Sequence, residues 1–488
     1  MSFLDKFSQW ARESIALKLF VIGFLILLLM IPIAMVESLI HERGTNKNNV
    51  AKQIYAEWSG SQTLQGPILT VPYYDYYWYN YDHKDSNGNT TTKKELKKKI
   101  EYAHFLPTKL LIEGSITPSI RYRSIYEAVV YKSDLKIHGT FSKPDMSEWR
   151  IEPKDILYDM SSISFGISDL RGVQDRIKMN FDAKEYFFNP GIKSSEVSKA
   201  ISSGISVPVI FDKNKQNIAF DFNLKLNGSE SLFFLPYGKE SMVNLKSTWS
   251  NPSFAGDFLP DSREINENGF TAKWKVIDIN RAYPQNFKGT DIQRLKNNIK
   301  RDHFVGKYDY HTVDQNYQKS SFGVNLKVPV DYYQKSTRSI KYGILIIILT
   351  FLAFFFVEIF IKKRIHAFQY ILVGFSLVLF FALLISFSEH IGFDFAYLIS
   401  SIITVMAITL YSKSIFKNKK FMLILCGILS FFYAFIYLLL QLQDYSLILG
   451  TGMLFVVLSI IMYISKDIDW YNIKKEVGSS NNDRKQPK

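Results

Sequence analysis

The chain has 488 residues, of which 47% are hydrophobic and 21% charged, with a formal net charge of +14 and one cysteine. Apolar residues pile up near the start and from Tyr342 to Ser465, where single segments reach the roughly 20 residues that cross a hydrocarbon core; a string of ordinary soluble domains is excluded. Much of the basic excess sits beside those segments and no recognition motif accompanies it, so nucleic acid is not an expected partner.

Residues 1–18 carry Lys6, Arg12 and Lys18 ahead of the first span, placed at 19–40 with its apolar run from Leu19 to Val36. A secretory signal would have an apolar region of about 7 to 15 residues and a small-x-small cleavage site. This run is longer and ends Ile33-Ala34-Met35-Val36-Glu37, so it reads as an uncleaved anchor that tolerates Pro32.

Residues 41–340 read as a β-rich domain, sandwich or barrel-like. Ile218, Phe220, Phe222, Leu224 and Leu226 alternate with polar residues; so do Ile177, Met179, Phe181 and Ala183, and Phe322, Val324, Leu326, Val328 and Val330. Asn227-Gly228 and Asn268-Gly269 read as turns. Helical spacing is confined to Val50, Ile54 and Trp58 just after the first span and to Ile292, Leu295 and Ile299. The domain has no cysteine, since Cys426 lies in an apolar segment. A unit of this size buries enough core to fold without disulfides.

Residues 341–465 form five further spans, at Tyr342–Ile361, Tyr370–Phe387, Phe395–Tyr411, Phe421–Leu442 and Tyr445–Ile464. Lys362, Lys363 and Arg364, then Lys413, Lys417, Lys419 and Lys420, then Lys466, Lys474 and Lys475 alternate with loops lacking Lys and Arg. Positive residues mark the inner side, so both termini are expected in the cytoplasm and the β-rich domain in the periplasm. Arg338 and Lys341 dissent but are outvoted, and the polar tail 466–488 is expected to be disordered.

Catalytic signatures are missing: there is no G-x-S-x-G, H-E-x-x-H, P-loop or G-x-G-x-x-G, and the eight histidines show no ligand spacing. No enzyme activity, cofactor or metal is expected. Glu358, inside the second span, is the sharpest candidate functional residue, because ionisable groups in hydrocarbon are costly. Glu389 and His390, at the outer end of the third span, follow; snorkelling or a helix–helix pair is the structural alternative for all three. Tyr73 to Tyr81, then Asn87-Gly88, then Lys93 to Lys99 reads as a hairpin with a basic, aromatic tip suited to sugar rings or lipid headgroups, though strands also favour aromatics for structural reasons.

Several ordered strings identify a resemblance to the CreD family of bacterial inner membrane proteins, over nearly the whole chain. They include Gly66-Pro67-Ile68, His104-Phe105-Leu106-Pro107, Arg123-Ser124-Ile125-Tyr126-Glu127, Ile167-Ser168-Asp169-Leu170-Arg171-Gly172 and Trp249 through Pro260. Gly269 through Trp274, Gln369 through Gly374 and Ser386-Phe387-Ser388-Glu389-His390 continue the match. The resemblance implies a role in cell envelope integrity, linked in some bacteria to a two-component stress response, and carries over no catalytic residue. Within these strings Asp169 and Arg171 are a candidate ion pair, and Trp249, Phe254 and Trp274 candidate core. Ser124 stands where the family usually has Gly, which would strain the turn if it requires a positive backbone angle. The expected function is sensing or binding through the β domain, with the lipid bilayer as one partner and an envelope polymer or another envelope protein as a second; the alternative is a transporter or permease component using the C-terminal helices.

Overall fold

Runs of Leu, Ile and Phe that are apolar all round make helices that must be buried or face lipid, and six such helices are present among the described residues. The computed structural model describes residues 15–84, 90–281, 283–293, 320–326, 332–361, 365–416, 418–442 and 445–466. It falls into two units, one of 1–48 with 330–488 and one of 49–329.

Helix α1 is Ile15–Trp58 and contributes to both units. The sequence places a span ending near residue 40 and a separate helix carrying Val50, Ile54 and Trp58; the two are one helix. Within the helix no proline follows Pro32, and Gln, Glu, Lys and Ala at 51–57 are good helix formers, so the hydrogen-bond ladder runs on through the weak helix formers Gly44, Thr45, Asn46, Asn48 and Asn49. After a short α2 at Ser195–Ala200, the C-terminal helices are α3 Tyr332–Lys341, α4 Gly343–Ile361, α5 Ala367–Ile391, α6 Phe393–Phe416, α7 Lys419–Gln441 and α8 Ser446–Ser465. All but α2 and α3 are long and apolar enough to cross a membrane. Helix α3 is not expected from the sequence periodicity. It buries Tyr333, Ser336, Ser339 and Ile340, and the dissenting Arg338 and Lys341 are its last-turn residues. Gly374 on α5 leaves room for Leu29 of α1, the small-residue device for close helix approach.

The other unit is a β sandwich. Its strands are β1 Gln62–Lys84, β2 Thr90–Phe105, β3 Lys109–Arg123, β4 Tyr126–Ser142, β5 Ser162–Ile167, β6 Lys178–Phe181, β7 Lys184–Phe187, β8 Asn189–Pro190, β9 Gly204–Pro208, β10 Asn217–Ser229, β11 Ser231–Phe234, β12 Glu240–Ser247, β13 Pro252–Gly256, β14 Ser262–Asn266, β15 Gly269–Ile277, β16 Asn286–Lys288 and β17 Phe322–Leu326. One sheet runs β13-β17-β11-β1-β5-β9-β8, with β2 also on β1 and β16 on β2; the other runs β14-β15-β12-β3-β4-β10-β6-β7. Their inner faces meet edge-to-face, with Phe165 and Phe222 at 5.2 Å, while Trp274 and Phe322 lie tilted at 5.8 Å. Trp274 is buried, with Trp249 and Phe254 partly buried against the core.

The alternation in β10 is obeyed, with Ile218 to Leu226 all buried at the apolar positions. Two local readings are corrected. Asn227-Gly228 is inside β10, paired with Lys132 and Tyr131; a Cβ at Gly228 would lie 2.3 Å from the Tyr131 ring, so this glycine serves close packing. Ala183 lies in the tight turn between β6 and β7 with φ 64°, so that run ends one residue early. Ile292 lies in a 3-10 turn, Gly289–Gln293, while Leu295 and Ile299, the rest of that expected helix, lie outside the described residues, as do Val328, Val330, Lys362, Lys363, Arg364, Lys417 and the tail beyond residue 466. Asn268-Gly269 does turn, between β14 and β15.

Ser124 confirms the strain argument. Arg123 pairs with Tyr126, leaving Ser124-Ile125 as a two-residue hairpin loop, and Ser124 has φ 57°. A positive angle at the first of two loop residues is the conformation that favours glycine.

Candidate functional site

Four of the five candidate residues form fasteners on helix α1. In the membrane unit Glu358 of α4 is buried, and its carboxylate accepts from Lys18 of α1, from the Ile365 backbone N–H at 3.1 Å and from the Tyr370 hydroxyl at 3.2 Å. Lys18 also donates to the Ile365 carbonyl at 3.4 Å. The carboxylate is thus satisfied by two helices and a loop, which is how an ion in a low-dielectric interior persists.

At the other end of the bundle Glu389 of α5 accepts from the Tyr333 hydroxyl at 2.9 Å and lies 3.8 Å from Arg43 of α1. Burial, and secondarily Tyr332 and Glu389, hold the Tyr333 phenol above its ordinary pKa. His390 is exposed. Lys18, Arg43 and Tyr333 had no sequence signal: each is separated by hundreds of residues, or by an unforeseen helix, from its partner.

The β unit holds the third fastener. Arg171 grips Asp169 through Nε at 3.0 Å and Nη2 at 2.6 Å, and its Nη1 donates to the Ala56 carbonyl in the last turn of α1 at 2.7 Å. Asp169 Oδ2 also accepts from Gly60 N–H at 3.1 Å. The Arg171 guanidinium, the desolvation that opposes it and the backbone donors together hold the Asp169 carboxyl at about 2. A cation on a helix C-terminal carbonyl complements the helix dipole. Beside it the buried Gln62 amide donates to Ser59 Oγ at 2.7 Å and to the Asp169 and Asn227 carbonyls at 3.0 and 3.1 Å. Gly172 is required there, since a Cβ would sit 2.3 Å from the Asn227 carbonyl. Trp58 donates to the Tyr131 carbonyl at 3.4 Å, Arg123 reaches Glu57 at 2.7 Å, and Ile54 packs on Ala128 and Val130.

Two other features could bind something. A groove of about 940 Å³ between α6 and α7 is walled by apolar side chains, with its charges, Asp394 and Lys413, at opposite ends; Glu358 does not line it. The β1–β2 hairpin pairs without interruption from Leu69↔Phe105 to Lys84↔Thr90, and Tyr76, Trp78, Tyr79 and Tyr81 are exposed along it. The Asn87-Gly88 tip lies outside the described residues. Lys97 and Lys98 sit over the Tyr79 and Tyr74 rings at 4.0 and 4.1 Å. Among the described residues no three His, Cys, Asp or Glu side chains gather as metal ligands.

One crossing helix, an inserted β sandwich and five further crossing helices define a multi-pass membrane protein with a large extramembrane module. Residues 14–471 match the family model described as Inner membrane protein CreD. The Inner membrane protein CreD of Escherichia coli (strain K12) is 32% identical over 454 residues, 91% of each chain. The chain belongs to the CreD family of inner membrane proteins. A solved structure from Legionella pneumophila subsp. pneumophila str. Philadelphia 1, described as a presumed nutrient binding protein, aligns with 38% of this chain and 68% of its own at 8% identity and a TM-score of 0.20, too slight a likeness to argue from.

Proposed function

We propose that the chain supports envelope integrity as a non-enzymatic binding protein: its β unit, exported to the periplasm, engages an envelope component, and the helices, with both termini cytoplasmic, anchor it. The alternating basic loops support the orientation. The observation that carries the binding reading over the transporter reading is Glu358. A transporter needs ionisable groups at a midplane site open to substrate, often on broken helices; here the internal carboxylate is consumed by Lys18, the Ile365 amide and Tyr370.

The test uses cells lacking the protein, scored for detergent sensitivity after complementation. Glu358→Gln strands the half-buried Lys18 and lowers membrane abundance, whereas Lys18→Met with Glu358→Gln removes both charges and restores abundance and protection together. A double variant at normal abundance that gives no protection would favour transport. An alkaline phosphatase fusion after Ala200 reports the side: activity is the expected result, and a silent fusion refutes the export.

A further inference from the structure

The two faces of the β1–β2 hairpin differ in a way its composition hides. Strict pairing puts directly opposed residues on one face. The first face carries Tyr74, Tyr76, Trp78 and Asn80 opposite Ile100, Lys98, Leu96 and Lys94. The second carries Asp75, Tyr77, Tyr79 and Tyr81 opposite Lys99, Lys97, Glu95 and Lys93.

On the second face Lys97 and Lys99 are already committed. Lys99 pairs with Glu101 at 2.7 Å and Asp75 at 3.7 Å, and Lys97 with Glu95 at 3.9 Å. The first face has no carboxylate in those four rows. Its nearest acids are Asp82 towards the tip, which accepts from Thr92 at 3.0 Å, and Asp155 at the base, which accepts from the Tyr76 hydroxyl at 2.9 Å. Between them Trp78 is 66% exposed, Leu96 52% and Ile100 41%. A contiguous exposed apolar patch marks an interaction site.

We propose that this face, Trp78, Leu96 and Ile100 flanked by Lys94 and Lys98, docks on an anionic phospholipid surface. The inference deepens the binding reading by naming its surface and partner. Charge complementarity selects the partner: two lysines without opposing acids suit phosphate headgroups. Trp between aliphatic residues suits the bilayer interface, where its ring is half in apolar surroundings. A glycan would call for amides and carboxylates around the ring to bond its hydroxyls; within these rows the face offers Asn80 alone.

The experiment uses the full chain in zwitterionic nanodiscs with Cys426→Ser, the single cysteine, and an environment-sensitive fluorophore on Asn80→Cys or, on the opposite face, Tyr79→Cys. Added phosphatidylcholine–phosphatidylglycerol vesicles should blue-shift the label at 80 and leave that at 79 unchanged; phosphatidylcholine vesicles and inorganic phosphate should shift neither. Lys94→Gln with Lys98→Gln should weaken vesicle affinity about thirty-fold, the loss of two surface lysines. Lys97→Gln with Lys99→Gln should weaken it far less. No shift with anionic vesicles, equal shifts at 79 and 80, or a shift produced by purified peptidoglycan in their place would overturn the proposal. Vesicle docking by the wild type, lost in Lys94→Gln with Lys98→Gln while that variant still protects cells fully, would leave it standing and remove the binding reading instead.

Discussion

His104, in the His104-Phe105-Leu106-Pro107 string, should make the β unit acid-sensitive. Its ring is fully buried; Nδ1 lies 3.0 Å from the Thr70 hydroxyl, and among the described residues Nε2 meets no hydrogen-bond partner. Burial therefore opposes protonation, and although Glu196 pulls the other way the pKa falls to about 4 from an ordinary value near 6.5. The unfolded chain binds the proton more readily than the folded one. The stability tied to a neutral ring is thus complete above about pH 6.5 and is lost as pH falls towards 4. Between pH 7.5 and 4.5 the difference is about 2.5 kcal/mol, a large part of the 5–15 kcal/mol typical of a domain. His104→Asn keeps a polar group near Nδ1 but cannot titrate. Urea unfolding followed by tryptophan fluorescence suits the case, because Trp58, Trp78, Trp149, Trp249 and Trp274 all lie in the β unit. Wild type should lose about 2.5 kcal/mol more than His104→Asn over that pH range. Parallel pH profiles would refute the claim that the ring is held neutral by burial.

Ser124→Gly should raise the urea midpoint of the β unit by the equivalent of about 0.5–1 kcal/mol, the left-handed cost less the entropy of glycine, and Ser124→Val should lower it. Arg171→Met should release the last turn of α1, seen as faster amide exchange at residues 54–58, with little loss of global stability given how exposed the pair is. Because Arg171 holds Asp169 at about 2, its contribution is complete above about pH 4 and fades towards pH 2 in wild type. The Met variant should lose that dependence in acid melts.

The membrane segments were legible because hydrocarbon imposes length and uniform apolarity, which a single chain displays without knowledge of its partners; the six spans fall within a few residues of their expected places, apart from the extension of α1. The sandwich was legible for a similar reason, since one wet face and one dry face write period two into β10. Gly228 was misread because its reason is the Tyr131 ring, nearly a hundred residues away in sequence. The fasteners were half legible. Glu358, Glu389, Asp169 and Arg171 stand out by charge or by the strings they occupy, but that Lys18, Arg43 and the Ala56 carbonyl complete them is a property of the folded chain. The hairpin announced its aromatics and lysines, whereas the segregation of acids to one side needed the register.

The β sandwich begins and ends almost at one place. Gln62, where β1 opens, is beside Leu232 of β11, which is beside Val324 of β17, so entry and exit are separated by about 10 Å, two strand spacings. A module whose two ends are neighbours can be cut out and bridged by a few residues, or exchanged for an unrelated one, without stretching what it is spliced into. A graft carrying another family member's sandwich on these helices is therefore a practical chimera.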